Sequence, residues 1–369
     1  MSKQRSRRNA PLHDDDQDAR LQRRSATPAS SSLWGKLFLS GGALLGAVAA
    51  YNAYAKHGVD RLTNQIGGDE GGWSWRGWRI AFTKRGSGPA ILMIHGIHAA
   101  AWSYEWRETV DYLARDYTVY TIDLLGFGRS DRPATRYSAR LYIGLLSDFV
   151  AQVIGGPCTL VATSLSAAYA IILGARDPHR FPALVLIAPT GLTRLNEPTG
   201  VRGDAGRIAI EVPVLGTAAF NALVSRRSLR HYLENVYASN TLVTEELVDV
   251  YYATSHQRGA RHAPAAFIAG HLNIDVRRAL RRLHQPALLF WGEEAQLAPV
   301  EEIRGFRALK PDFDVHILSP AGDLPQDERA DEFNVILSTW LNRRLPSSAS
   351  TQNTHPGTPE ALPPTRPVL

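Results

Sequence analysis

Cys158-Thr-Leu-Val-Ala-Thr-Ser-Leu-Ser166 is a largely apolar run that passes through Thr163 and Ser164 straight into a helical pattern over 165–176. The run is apolar throughout and does not alternate, so it reads as a strand over 158–162 covered on both faces. A strand that turns sharply into a helix holds the hydroxyl of Ser164 out at the sheet edge. There it sits beside a helix N-terminus, whose free N–H groups and positive dipole stabilise a developing oxyanion. Ser is also a preferred N-cap, so the position by itself supports two readings, helix cap or nucleophile.

Outward from this bend the same rhythm repeats. Residues 90–94, 117–122, 183–188, 287–291 and 314–318 read as strands, and 103–115, 137–154, 299–309 and 328–343 as the helices between them. Continuous apolar strands alternating with helices predict a mostly parallel, doubly wound α/β sheet. Residues 192–280 break the rhythm with helical patterning alone, as in Ser228-Leu-Arg-His-Tyr-Leu-Glu-Asn-Val-Tyr237. They read as a helical cap over the carboxyl ends of the strands, where open α/β sheets bind ligands.

Three local patterns follow successive strands: His95-Gly96-Ile97, then Asp123-Leu-Leu-Gly-Phe-Gly-Arg-Ser-Asp131, then Ala162-Thr163-Ser164-Leu165-Ser166. With them the chain resembles the α/β-hydrolase superfamily over about residues 75–343, with a core at 75–191 and 281–343 and a cap at 192–280. The stretch from Trp106-Arg107 through Val119-Tyr120 to Pro133 is similar to a branch that includes pheophytin and chlorophyll dephytylases. The resemblance implies that Ser164 is the catalytic nucleophile and that the backbone N–H groups of Ile97 and Leu165 form its oxyanion hole. It also implies a hydrolase or acyl-transfer enzyme acting on a lipophilic ester-like small molecule.

The rest of the triad departs from that pattern. In Trp291-Gly-Glu-Glu-Ala-Gln-Leu-Ala-Pro299, Ala295 stands where the resemblance places the acid, and in Ala321-Gly-Asp-Leu-Pro325, Asp323 stands where it places the histidine. Alanine orients nothing, and a carboxylate of ordinary pKa is a poor base for a serine hydroxyl. His98, His271 and Asp323 are the candidate substitutes for the missing base, while His95 reads as part of the turn and His316 as a sheet residue. The alternative is a pseudo-hydrolase that keeps the pocket and the bend and binds an apolar ligand or scaffolds a membrane complex without turnover. Ala162 and Ser166 also replace both glycines of the usual elbow, a change of one Cβ or one hydroxymethyl that the turn can accommodate.

The remaining sequence sets the surroundings. Residues 1–32 and the Pro-rich tail 346–369 hold almost no apolar side chains in a packing pattern and are expected to be disordered. Between Lys36 and Lys56 lie nineteen uncharged residues, Leu37–Ala55, about 28 Å of helix against a hydrocarbon core of about 30 Å. They predict a membrane-anchor helix over 33–56, with a cleaved signal or a helix packed on the domain as alternatives. As a single-pass anchor it would leave the N-terminus cytoplasmic and the main domain outside, because eight Lys/Arg precede it. Those eight, against four Asp, account for most of the formal charge of +6, so no basic domain remains to bind nucleic acid. The lone Cys158 excludes an intrachain disulfide, and neither a metal nor a cofactor is implied.

Overall fold

The computed structural model describes residues 33–344, so the two expected disordered segments, 1–32 and 346–369, lie outside the described residues. Helix α1 (Leu33–Lys56) comes first. A hairpin follows, β1 (Asp69–Trp75) and β2 (Trp78–Arg85), joined through Arg76 and Gly77. Both linking residues have positive φ, 52° and 84°, the backbone of a primed two-residue turn. The sequence reading began the core only at residue 75, because β1 carries Gly71-Gly72 and leaves one face exposed, so it lacks the continuous apolar signature.

Six strands complete the sheet: β3 (Ala90–Ile94), β4 (Thr118–Ile122), β5 (Cys158–Thr163), β6 (Leu184–Ile187), β7 (Ala287–Gly292) and β8 (Asp314–Leu318). The strand order is β1-β2-β4-β3-β5-β6-β7-β8. The hairpin joins antiparallel, and every pair from β4–β3 to β7–β8 is parallel. All six expected strands form within a residue or two of their expected limits. Strands β5, β6 and β7 are buried along their whole length, with one apolar cluster packed on each face of the sheet. At about 25 cal/mol per Å² of apolar surface removed from water, this two-sided burial is the main term holding the sheet together.

Helices α2 (Ala139–Phe149) and α3 (Ser164–Arg176) cover one face beside β5, and α9 (Ile303–Leu309) and α10 (Ala330–Arg344) flank the last strands. Between β6 and β7 run the cap helices α4 (Val201–Glu211), α5 (Leu215–Leu223), α6 (Arg226–Val236), α7 (Glu245–Ser255) and α8 (His262–Ile268). The expected helix at 103–115 is instead a short 3₁₀ turn, Ser103–Trp106, and one α turn, Val110–Leu113. Its polar groups are committed to neighbouring loops. The Ser103 N–H donates to Asp123 Oδ1 at 2.8 Å, and Glu105 Oε2 accepts from the Gly96 N–H at 2.8 Å.

Helix α1 forms over the expected residues, but no helix among the described residues is long and apolar enough to cross a membrane. The expected crossing of a membrane by 37–55 and its orientation rest on the sequence alone. The final turn of α1 is tied to protein groups: Asn52 donates to Val214 O at 2.9 Å and accepts from Asn221 Nδ2 at 2.9 Å, and the Tyr252 hydroxyl donates to Ala55 O at 2.7 Å. Ala55 itself is buried.

Candidate active site

Strand β5 passes into α3 without an intervening loop, and the first helical residue, Ser164, has φ +50°. A non-glycine residue in the left-handed region is strained by the order of 1 kcal/mol and persists only where its surroundings fix it. Those surroundings are Ala162, Leu165, Ser166 and Ala167, all with no exposed surface. Ser166, which replaces a glycine of the usual elbow, donates its hydroxyl to His95 O at 2.6 Å and so ties the bend to the end of β3. His95 is structural, as its sequence context suggested. Its Nε2 accepts from the Leu124 N–H at 3.1 Å, which leaves the proton on Nδ1 to donate to Gly96 O at 2.6 Å.

Ser164 opens into a cavity of about 590 Å³ shared with Gly96, Ile97, His98, Glu105, Thr163 and Asp323, with walls completed by Leu195, Val236, Phe267, Leu297 and Leu324. Core, cap and the loops after β7 and β8 all contribute to this wall. A wider and more open groove of about 890 Å³, lined by Arg61, Arg79 and Arg132 among others, contains none of these residues. Ile97 stands at the cavity wall, and the Leu165 N–H lies in the first turn of α3, where helix donors have no intrahelical acceptor. No hydrogen bond among the described residues engages Ser164 Oγ.

The candidate substitutes for the base separate cleanly. His98 lines the cavity but stacks on Tyr251, with ring centroids 5.6 Å apart and planes 16° apart. Its Nδ1 accepts from the Ala100 N–H at 3.3 Å, so the neutral ring carries its proton on Nε2 and offers the cavity a donor, not a base. Burial holds its pKa down to about 3. His271 is not at the cavity at all. Its Nε2 lies 3.0 Å from Asp204 Oδ1 in a polar depression shared with Arg207 and Glu211.

Asp323 lines the cavity but faces the loop after β7. Its Oδ2 accepts from the N–H groups of Gln296 and Leu297 at 3.1 and 3.0 Å, and its Oδ1 from the Ala298 N–H at 3.0 Å. Burial raises its pKa, and those three N–H donors pull the other way. The carboxylate therefore clasps the segment in which Ala295 replaces the acid. The two loops are pressed backbone to backbone as well: Glu294 N–H donates to Ala321 O at 2.9 Å, and a Cβ on Gly292 would lie 1.9 Å from Gly322 O. Asp323 thus holds this loop in place through three backbone donors; of the three expected substitutes, His98 and Asp323 line the cavity and His271 does not.

One residue at the cavity escaped the sequence reading. Glu105, in the 3₁₀ turn after the oxyanion loop, is half-buried and lines the cavity. Its Oε2 accepts from the Gly96 N–H at 2.8 Å and its Oε1 from Gln326 Nε2 at 3.0 Å. The Thr163 hydroxyl lies close enough to favour the charged form without a hydrogen bond of good geometry. Desolvation outweighs these donors and pushes the carboxyl up to about 7. The signal in the sequence was a single acid between two aromatics, Tyr104-Glu105-Trp106.

A capped α/β sheet with a serine on a strained strand-to-helix bend, open to an apolar cavity, is the architecture of a hydrolase-like protein. Residues 89–330 match the model of the family described as alpha/beta hydrolase fold, and the chain belongs to that family. It is similar to an uncharacterized hydrolase of Bacillus subtilis, YugF, with 26% identity over 257 residues, 68% of this chain and 89% of the relative. It is also similar to a 2-hydroxy-6-oxo-6-(2'-aminophenyl)hexa-2,4-dienoic acid hydrolase of Metapseudomonas resinovorans, with 24% identity over 275 residues, 73% of this chain and 89% of the relative. Among solved structures, a serine hydrolase involved in carbazole degradation superposes with a TM-score of 0.63 at 22% identity, covering 74% of this chain and 98% of that one. A membrane phospholipase A superposes with a TM-score of 0.60 at 23% identity, covering 85% and 97%.

Proposed function

We propose that this chain is a hydrolase of a small lipophilic ester or related carbonyl compound, with Ser164 as nucleophile and the N–H groups of Ile97 and Leu165 as oxyanion donors. The observation that carries this reading is the φ of +50° at Ser164, a strained backbone held at the one point where the bend meets an apolar cavity. Strain kept in place by buried neighbours is what a poised nucleophile requires, and a helix cap does not need it. The hydrolases among the relatives, and the phospholipase A among the structural neighbours, support a carbonyl substrate with substantial apolar character. The cavity walls suit the apolar part, and acyl transfer from Ser164 to water completes the reaction.

A second reading, a pseudo-hydrolase that binds the same ligand without turnover, is favoured by the clasp that Asp323 makes in place of a histidine. Hydrolysis of p-nitrophenyl esters of increasing chain length separates the two. Turnover that rises with chain length and vanishes in Ser164→Ala supports the enzyme. Equal binding of a long-chain ester by the wild type and Ser164→Ala, with no product from either, supports the pseudo-hydrolase.

A further inference from the structure

Five titratable side chains reach the cavity: His98, Glu105, Arg194, Tyr232 and Asp323. His98 presents a donor, and Asp323 is turned to the loop after β7, where it accepts from three backbone N–H groups. Arg194 pairs with Glu302, and burial drives the Tyr232 hydroxyl far from ionisation. Glu105 is left, and it occupies a distinctive place. A Cβ built on Gly96 would lie 3.6 Å from Glu105 Oε2, 3.8 Å from Ser164 Cβ and 3.2 Å from Thr163 Oγ1. The carboxyl and the serine therefore flank the same glycine, on the side of the oxyanion loop that faces the cavity.

We propose that Glu105 is the proton acceptor of this site, taking the Ser164 proton directly or through one water and replacing the histidine that the chain lacks at position 323. The inference rests on the hydrolase reading above. In the acylation step Oγ bonds to the substrate carbonyl carbon while its proton passes to the Glu105 carboxylate. Collapse of the tetrahedral intermediate breaks the bond to the leaving alcohol, which departs with that proton. Water then attacks the acyl-serine, gives its proton to Glu105, and the acid leaves as Ser164 Oγ recovers it. No oxidant or metal enters the balance.

The carboxyl is held for this work. Gly96 and Gln326 each donate to one oxygen and fix its orientation, leaving further lone pairs open to the cavity. The desolvation that raises its pKa to about 7 also makes it a far stronger base than an exposed glutamate.

The test is the rate at which a fluorophosphonate probe labels Ser164 between pH 5 and 9, measured on the full chain. In the wild type the rate is expected to rise with pH through about 7 and then level, because the carboxylate is the active form. Glu105→Gln is expected to lower the plateau about 10²-fold to 10⁴-fold and to flatten the profile. Gln326→Leu keeps the carboxyl but removes a donor to its charged form, so the midpoint is expected to move to higher pH with the plateau retained. That shift is a readout that a folding defect would not produce. A labelled wild type with a flat profile, or a profile unchanged in Glu105→Gln, overturns the role of Glu105 and leaves the nucleophile standing. A wild type that is unlabelled at every pH overturns the hydrolase reading and this inference with it.

Discussion

The two halves of the cavity wall have gone different ways. On the β3 and β5 side, the bend is kept under strain, with Ser164 at φ +50° and Ser166 bonded to His95 O. On the β7 and β8 side, the positions that would hold an acid and a base have become a structural clasp, with Asp323 accepting from Gln296, Leu297 and Ala298. A nucleophile and its proton acceptor need not come from the same pair of loops. The first half is a matter of backbone geometry, and a carboxyl on a neighbouring turn that shares its glycine can serve it.

Breaking the elbow half has the largest expected effect. Ser164→Ala removes the attacking oxygen, and ester hydrolysis is expected to fall by about 10³-fold or more in a steady-state assay. The next effect is on stability and its pH dependence. Glu105 keeps its proton to about pH 7 in the folded chain but only to its ordinary value of 4.5 when unfolded. Between those values the folded state binds more protons, so the stability this group contributes is fully present below 4.5 and is lost as pH rises through 7. The loss amounts to about 3 kcal/mol by linkage. Denaturant titrations at pH 4.5 and pH 8 are expected to show that fall in the wild type and to lack it in Glu105→Gln.

The clasp is tested by Asp323→Ala, which strips three N–H groups of their acceptor. A loss of about 2 kcal/mol is expected in a denaturant titration, with the pH dependence of Ser164 labelling unchanged. An altered labelling profile would mean that the β7 and β8 loops still take part in proton transfer. The smallest effect is a gain. Ser164→Gly relieves the left-handed backbone, and a stabilisation of about 1 kcal/mol is expected together with loss of all labelling. No gain would mean that the bend is not strained.

The sequence made the sheet legible because β3 to β7 are buried on both faces and therefore almost continuously apolar. The hairpin β1–β2 was missed for the opposite reason, since one face is exposed and glycines interrupt the run. The bend at Ser164 was legible because a strand passing straight into a helix is a local pattern. Which side chains meet Ser164 at the cavity was not, because they come from distant turns. His98 and Asp323 reach it and are already committed to Ala100 and to residues 296–298, while His271 faces Asp204. Glu105 gains its character only from burial, which no spacing rule encodes.

The most direct test is to map the fluorophosphonate adduct by peptide mass spectrometry in the wild type and in Asp323→Asn. An activated Ser164 independent of the β7 and β8 loops predicts one adduct, on the peptide containing Ser164, at comparable yield in both proteins. An unmodified Ser164 in both proteins at every pH from 5 to 9, or an adduct that disappears in Asp323→Asn, would contradict it.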